Sequence, residues 1–212
     1  MAEDNTPEAC GSILSGYEGR EPDNTIDEKS CAAIIFTSGT TGEEKGVMLS
    51  HANLIDTTFN GNFDVNIKIS ILPMHHAFSV KSDFLTPLGV GSTICFHNGM
   101  DKLGEALQAY EPTCLSMVPM IANALYNKVF MFSQQTGKTM EECKYLVFGK
   151  RINQIITGGA HLPSELVDKY QNIGIGIAQG YGMSECSPSI SIPCWARPDK
   201  AHSSGMLVRG CE

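Results

Sequence analysis

Ile34-Ile35-Phe36-Thr37-Ser38-Gly39-Thr40-Thr41-Gly42-Glu43-Glu44-Lys45-Gly46-Val47-Met48-Leu49-Ser50-His51 is the stretch from which the rest of this chain can be read. It opens as an apolar, β-branched run, the pattern of a buried strand. It then breaks into small and hydroxylated residues and one lysine. Glycines let the backbone turn tightly and bring its N–H groups close to an anion. Thr37, Ser38, Thr40 and Thr41 add hydroxyl donors, and Lys45 adds a positive charge, which together suit a polyphosphate. A flexible surface loop is the plainer reading, but the position directly after a strand favours the phosphate. The spacing is not that of a Walker loop: Glu44 stands five positions after Gly39, and Lys45 precedes Gly46 rather than Ser or Thr. Ser50 reads as the N-cap of a helix through Ala52, Asn53, Leu54 and Ile55.

Working outward, the 212 residues suffice for one large domain or two small lobes with a real core. A hydrophobic share of 42% and a charged share of 18% describe an ordinary globular chain. The formal net charge of −8 argues against nucleic acid, whose phosphates need a basic surface. ATP remains compatible, since it needs only local positive charge and Mg²⁺. The eight cysteines form no CxxC pair, and Cys95 and Cys114 lie within or beside apolar runs. They read as free thiols rather than as a disulfide framework or zinc site. Met1-Ala2-Glu3-Asp4 is acidic and no apolar signal region follows it. No run approaches the roughly 18 apolar residues of a membrane span. A cytoplasmic location is the expectation.

Residues 1–30 are polar and turn-rich and read as a leader. From Ala32 onward, candidate strands at 32–37, 68–72, 92–97, 113–118, 152–157 and 174–178 alternate with helical patterns at 50–59, 102–110, 119–132 and 163–171. Such alternation predicts an α/β fold with a mostly parallel sheet flanked by helices. Met117, Met120, Ile121, Leu125, Met131 and Phe132 read as core packing, with the lining of an acyl tunnel as the alternative. Ser133–Lys144 is polar and contains Gly137, and is expected as an exposed excursion. No internal repeat is found.

Three further motifs follow predicted strands. In Leu72-Pro73-Met74-His75-His76-Ala77-Phe78, adjacent histidines on extended chain point to opposite sides, so at most one faces a given site. A simply solvated histidine is the alternative. Gly158-Gly159-Ala160, before His161-Leu162-Pro163, leaves room for a flat ring or carboxylate against the backbone, or else makes a structural turn. In Gln179-Gly180-Tyr181-Gly182-Met183-Ser184-Glu185, Tyr181 offers a ring for stacking. Ser184 and Glu185 there offer oxygen ligands for Mg²⁺. At consecutive strand ends of an open α/β sheet, all these motifs converge on one crevice.

Together the four motifs resemble the adenylate-forming (AMP-binding) superfamily of acyl-CoA synthetases, peptide-synthetase adenylation domains and luciferases. The likeness spans roughly residues 30–212. Leu72–Phe78, the stretch from Phe84 through Gly91 and the helix after Pro119 look most like bacterial long-chain fatty-acid–CoA ligases. By this resemblance Thr37–Gly46 is the phosphate loop, with Thr37, Ser38, Gly39, Thr40, Thr41, Gly42 and Lys45 on the nucleotide. Gly158, Gly159 and Ala160 match the adenine-side strand end, beside Tyr181 and Gly182. Tyr181 would stack on adenine, and His76 would place the carboxylate or gate the acyl channel. Ser184 would touch the α-phosphate, and Glu185 would hold the metal. The implied activity is ATP- and Mg²⁺-dependent conversion of a carboxylic acid, a medium- or long-chain fatty acid, to an acyl-adenylate and then, with coenzyme A as co-substrate, to acyl-CoA. Catalytic weight would fall on His76, Ser184, Glu185 and Lys45.

Departures from the family pattern accompany the likeness. Glu44 stands where many members carry Pro, Ser184 where Thr is usual, and Val208-Arg209-Gly210 where a Gly-rich, Pro-bearing turn is usual. The resemblance implies that residues 31–212 are a partial adenylation domain, a central piece of the family's large N-terminal domain. The ribose-binding Asp motif and the C-terminal lobe with its catalytic Lys would lie beyond Glu212. The chain alone is then expected to bind nucleotide weakly and to form no thioester. An adenylation module that loads a carrier-protein thiol, and a non-catalytic nucleotide-binding remnant, are the alternatives.

Overall fold

The computed structural model describes residues 25–37, 43–59, 66–97, 99–195 and 197–211. The leader through residue 24 and the loop residues Ser38, Gly39, Thr40, Thr41 and Gly42 lie outside the described residues.

β1 (Cys31–Thr37) and β2 (Lys45–Ser50) form an antiparallel hairpin in which Thr37 lies opposite Lys45 and Ile35 opposite Val47. This corrects the expectation that the first strand joins the parallel sheet and that its loop runs straight to a helix. The physical reason is an alternation in Lys45–Ser50: Leu49 is buried with Ile35, while Met48, Ile34 and Phe36 face outward. Ser50 does cap α1 (His51–Thr58), its side chain accepting from the Asn53 amide while Asn53 answers to the Ser50 backbone.

The main sheet is parallel throughout, in the order β4-β3-β5-β6-β7, with β3 at Ile67–Ser70, β4 at Thr93–Phe96 and β5 at Cys114–Met117. β6 spans Gln154–Thr157 and β7 spans Gly176–Gln179. The expected strands are all present, with ends shifted by no more than two residues. β3 pairs with β4 over four residues, Ile67↔Thr93 to Ser70↔Phe96. With β5 its ladder holds only at Lys68↔Cys114. The chain leaves β3 for β4 on one side and returns to β5 on the other, so strand order reverses at this seam.

Strand alternation sorts the two sheet faces. Ile69, Leu115, Met117, Ile155 and Ile177 turn to one face and join the large core beneath α3 (Leu103–Tyr110), α4 (Pro119–Thr136), α5 (Met140–Phe148) and α6 (Ser164–Gln171). Within that core the Tyr170 hydroxyl donates to the Ala122 carbonyl at 2.7 Å. The residues read as either core or acyl tunnel divide. Met117 and Leu125 are buried and Ile121 and Phe132 pack against the core, but Met120 and Met131 are exposed. The excursion expected at Ser133–Lys144 is corrected. α4 continues to Thr136, Gly137 ends it with φ of 69°, and Thr139 with Glu142 builds a capping box that starts α5.

Lys68, Cys114, Ser116 and Ile156 turn to the opposite face. It is covered by a helical run, α2, made of Ala77–Ser79, a π-helical stretch Val80–Leu85, and Thr86–Gly89. π-helical turns are uncommon and recur at functional sites. Past β7 the chain makes a short helical turn at Ser184–Cys186 and a small antiparallel pair, β8 (Ser191–Ile192) with β9 (Met206–Leu207). Among the described residues, the cysteines other than Cys10 are free thiols, and no helix is long and apolar enough to cross a membrane.

Candidate functional site

The ends of four parallel strands meet at one cleft of about 360 Å³. Its walls are Leu72 beyond β3, Val118 beyond β5, Gly158 and Gly159 beyond β6, and Gly180, Gly182, Met183 and Ser184 beyond β7, with His76 to Phe78 across the mouth. The site therefore lies outside the carboxyl ends of the strands, beside the reversal of strand order, where open α/β sheets bind ligands.

Each expected position can be placed. His76 lines the cleft and stands at the N-cap position of α2 with no side-chain capping bond, while its neighbour His75 does not line it. The two rings lie 4.3 Å apart between centroids, tilted by 47°. Gly158 and Gly159 line the cleft, and a Cβ on Gly158 would meet the Phe78 ring at 3.2 Å. Ala160 is exposed at the rim of the same turn. Ser184 lines the cleft, and Glu185 beside it is exposed. Tyr181, 54% exposed, is absent from the lining of this cleft and contributes instead to the wall of the cavity behind it. Its backbone is clamped to β8: its amide donates to the Ser191 carbonyl at 3.1 Å, and the Ile190 and Ser191 amides donate to its carbonyl at 2.9 Å. Thr37 and Lys45 form the last pair of the hairpin, with the Thr37 hydroxyl donating to the Lys45 carbonyl at 3.5 Å. β2 lies beside the Ser184–Cys186 turn, which brings the hairpin to the cleft.

Several contributors escape a reading of the sequence. Gln179 accepts the Leu162 amide at 2.7 Å and so ties the Gly158–His161 turn to β7. Asp83, from α2, is fully buried and its Oδ2 accepts the Ile71 and Leu72 amides at 3.3 and 3.4 Å. Those amides are the ones left without a ladder partner where β3 parts from β5. Its Oδ1 stands 3.5 Å from the Lys68 ammonium, which donates to the Ser116 hydroxyl at 2.6 Å. Burial pushes the Asp83 carboxyl above the ordinary aspartate range, against the opposing pull of Lys68 and the amide donors. The signal for this cluster was a lysine inside the strand pattern Ile67-Lys68-Ile69-Ser70 and an aspartate in an otherwise apolar helix.

Behind the cleft, on the polar face of the sheet, lies a smaller chamber of about 50 Å³. It shares Phe78, Gly180 and Pro188 with the cleft and extends to Lys68, Lys81, Ile156, Ser189 and Pro193. Lys81 is 5% exposed and donates to the Ser189 hydroxyl at 2.7 Å. Burial lowers its pKa from 10.5 to about 8. The folded chain thus binds fewer protons than the unfolded chain between pH 8 and 10.5, and its stability rises with pH across that window. Relative to Lys81→Met, the wild type is expected to gain on the order of 3 kcal/mol across it, read by denaturant unfolding. Parallel stability profiles for the two proteins would exclude a buried ammonium at this position.

Among the described residues no three His, Cys, Asp or Glu side chains cluster to hold a metal ion by themselves. Glu185, exposed beside Ser184 at the cleft, suits instead a Mg²⁺ that brings phosphate oxygens with it, the usual manner of that ion.

Comparison with known proteins agrees with this geometry. The sequence matches the profile described as AMP-binding enzyme over residues 2–212. It is 29% identical to 4-coumarate–CoA ligase 2 of Petroselinum crispum over 232 aligned residues, covering 99% of this chain and 40% of that protein. It is 25% identical to a feruloyl-CoA synthase of Amycolatopsis sp, covering 89% of this chain and 36% of that one. The chain thus spans well under half the length of these relatives. Among solved structures it superposes on the N-terminal domain of FACL13 from Mycobacterium tuberculosis with a TM-score of 0.73 and 19% identity, covering 96% of this chain and 49% of that one. A long-chain-fatty-acid-CoA ligase from Archaeoglobus fulgidus gives a TM-score of 0.68 and 24% identity, covering 85% of this chain and 37% of that one. A profile matched from residue 2 to residue 212, on a sheet whose motif-bearing ends share one cleft, leaves one conclusion: this chain belongs to the family of AMP-binding enzymes.

Proposed function

We propose that this chain carries the nucleotide- and acyl-binding face of an acid–CoA ligase, which activates a carboxylic acid with ATP and passes the acyl group to coenzyme A. One observation carries the reading: the cleft lined by His76, Gly158, Gly182 and Ser184 adjoins a second chamber, with Phe78, Gly180 and Pro188 lining both. The first has the backbone-lined form a nucleotide needs, and the second suits the acyl part of the acid.

In the first step a carboxylate oxygen bonds to the α-phosphorus of ATP and pyrophosphate leaves, giving the acyl-adenylate. In the second, the thiol sulfur of coenzyme A bonds to the acyl carbon and AMP leaves. The chain's own residues serve the first step chiefly by position and charge. His76 places the carboxylate at the junction of cleft and chamber. Ser184 donates its hydroxyl to the α-phosphate. Lys45, with Thr37 and the loop residues Ser38, Gly39, Thr40, Thr41 and Gly42, neutralises and holds the leaving pyrophosphate. Gly158, Gly159 and Ala160 form one wall for adenine, and Gly182 lets it approach the backbone. The Tyr181 ring, exposed on a clamped backbone, covers it. Mg²⁺, held by Glu185 and the phosphates, would neutralise charge on the departing group. Catalytic weight therefore falls on His76, Ser184, Glu185 and Lys45.

A medium- or long-chain fatty acid is one acyl substrate for such a site. The small chamber, closed by Lys81, Ser189 and Pro193, favours a compact acid instead. Names of relatives such as 4-coumarate–CoA ligase and feruloyl-CoA synthase support that preference. Calorimetric titration with an acyl-sulfamoyladenosine, an unreactive mimic of the acyl-adenylate, is the direct test. Saturable binding is expected, with no acyl-CoA formed by the chain alone. Absence of binding by every acyl variant, from pentanoyl to palmitoyl and cinnamoyl, would overturn the function.

A further inference from the structure

We infer that the inner chamber selects an acid carrying a second anionic group at the end remote from the reacting carboxyl, and that Lys81 is the specificity-determining residue that receives it. This rests on the acid-ligase reading of the site.

The chamber holds two lysines in different circumstances. Lys68 is 1% exposed but answered by Asp83 at 3.5 Å and by the Ser116 hydroxyl at 2.6 Å. Lys81 is 5% exposed and bonded to Ser189 at 2.7 Å, and no carboxylate among the described residues makes an ion pair with it. A serine hydroxyl satisfies one ammonium hydrogen and offers no countercharge. The remaining walls are apolar, as at Phe78, Ile156 and Pro193, or carry only hydroxyls, as at Ser82, Thr86 and Tyr181, and none supplies a countercharge. With its pKa near 8 the ammonium is still largely charged at neutral pH. A buried charge is costly unless paired, so the group that completes this chamber is an anion.

Position supports the same assignment. Lys81 follows Phe78 on α2, and Phe78, Gly180 and Pro188 are shared by cleft and chamber. An acid whose carboxyl sits by His76 at the mouth would extend past Phe78 and end at Lys81. The chamber is too small for a long chain but takes a compact group there. A bond to Ser189 that merely fastens the 188–193 segment to α2 is the competing role for Lys81, and it predicts no discrimination between ligands.

The test uses paired acyl-sulfamoyladenosines: glutaryl against pentanoyl, and 4-carboxycinnamoyl against cinnamoyl, with 4-hydroxycinnamoyl as a neutral-oxygen arm. Calorimetry gives affinities, and fluorescence of Trp195, the single tryptophan, which packs against the Cys114 and Ile156 cluster as Phe78 does, reports occupancy of the chamber. At least one carboxylate-bearing member is expected to bind roughly tenfold or more tightly than its partner, the gain from a charge-assisted hydrogen bond. Lys81→Met should abolish that order and Lys81→Arg should retain part of it. If Lys81→Met fails to fold, the wild-type ratio alone decides. Equal affinities within both pairs would overturn the inference and leave the proposed function standing. A preference for the 4-hydroxy compound over the 4-carboxy compound would overturn the anionic assignment. A shift of both members of a pair by the same factor in Lys81→Met would assign Lys81 the structural role only. Silence with every compound would overturn the function, and the inference with it.

Discussion

Asp83→Ala is expected to lower folding stability by about 3–5 kcal/mol, the cost of removing one partner from a buried ion pair. The loss has three parts in this chain. The Lys68 ammonium, 1% exposed, would be left without its carboxylate. The Ile71 and Leu72 amides would lose their acceptor at the point where β3 has already parted from β5. A side-chain-sized void would open between α2 and the sheet. Denaturant unfolding followed by Trp195 fluorescence measures the change. Lys68→Met combined with Asp83→Leu should cost much less than Asp83→Ala, because it removes both charges and keeps the volume, although the two amides stay unanswered. If Asp83→Ala costs under about 1 kcal/mol, the carboxylate does not bridge helix and sheet as described.

Gly182→Ala is the substitution expected to harm the cleft most. A Cβ on Gly182 would fall on the Pro188 carbonyl oxygen, with the Pro188 carbonyl carbon at 2.8 Å and the Ser189 Cα at 3.1 Å. The obstruction is backbone, which cannot rotate away as a side-chain tip does. The 188–189 segment must therefore shift, carrying with it one wall of the cleft and the serine that Lys81 holds. Affinity for an acyl-sulfamoyladenosine should fall about 100-fold, as expected for ligand groups displaced by an ångström or so. Stability should fall by only about 1–3 kcal/mol, the cost of overpacking. Binding within about threefold of wild type would show that the segment yields without disturbing the site.

The fold was legible where one local pattern settled each element. The β-branched run before Thr37, the Ser50 cap, and the five strands after Asn66 with the three helices expected among them all stand in the structure, whereas the helical run at Ala77–Gly89 was not foreseen. β2 was hidden because Gly46 and two flanking glutamates break its apolar run, leaving only Val47 and Leu49 to mark the buried face. α5 was hidden for a different reason. Its signal is the capping box Thr139-x-x-Glu142 rather than a hydrophobic stripe, and the polar residues before it dominated the window. The cleft could be foreseen as the meeting of strand-end motifs, since topology alone brings such ends together. The chamber could not. Lys81 and Ser189 are more than a hundred residues apart, and no periodicity announces that a lysine on a helix will point inward. Residues 38–42, the clearest motif of all, lie outside the described residues.

The single-pair seam between β3 and β5 also bears on how the molecule holds together in time. Backbone ladders bind β3 to β4 over four pairs and β5 to β6 and β6 to β7 over four pairs each, but one pair spans the seam. Cooperative blocks in proteins tend to follow such lines of uneven bonding. Hydrogen exchange is therefore expected to divide the sheet into two blocks, β4 with β3 and β5 through β7. Side chains stitch the seam: Thr113 takes the Asn66 amide and Lys68 reaches Ser116. The ligand cleft sits at the end of that line of division. A ligand gripping both Leu72 and Val118 would therefore act as a clasp, raising the free energy of opening one block from the other without altering either block's own packing.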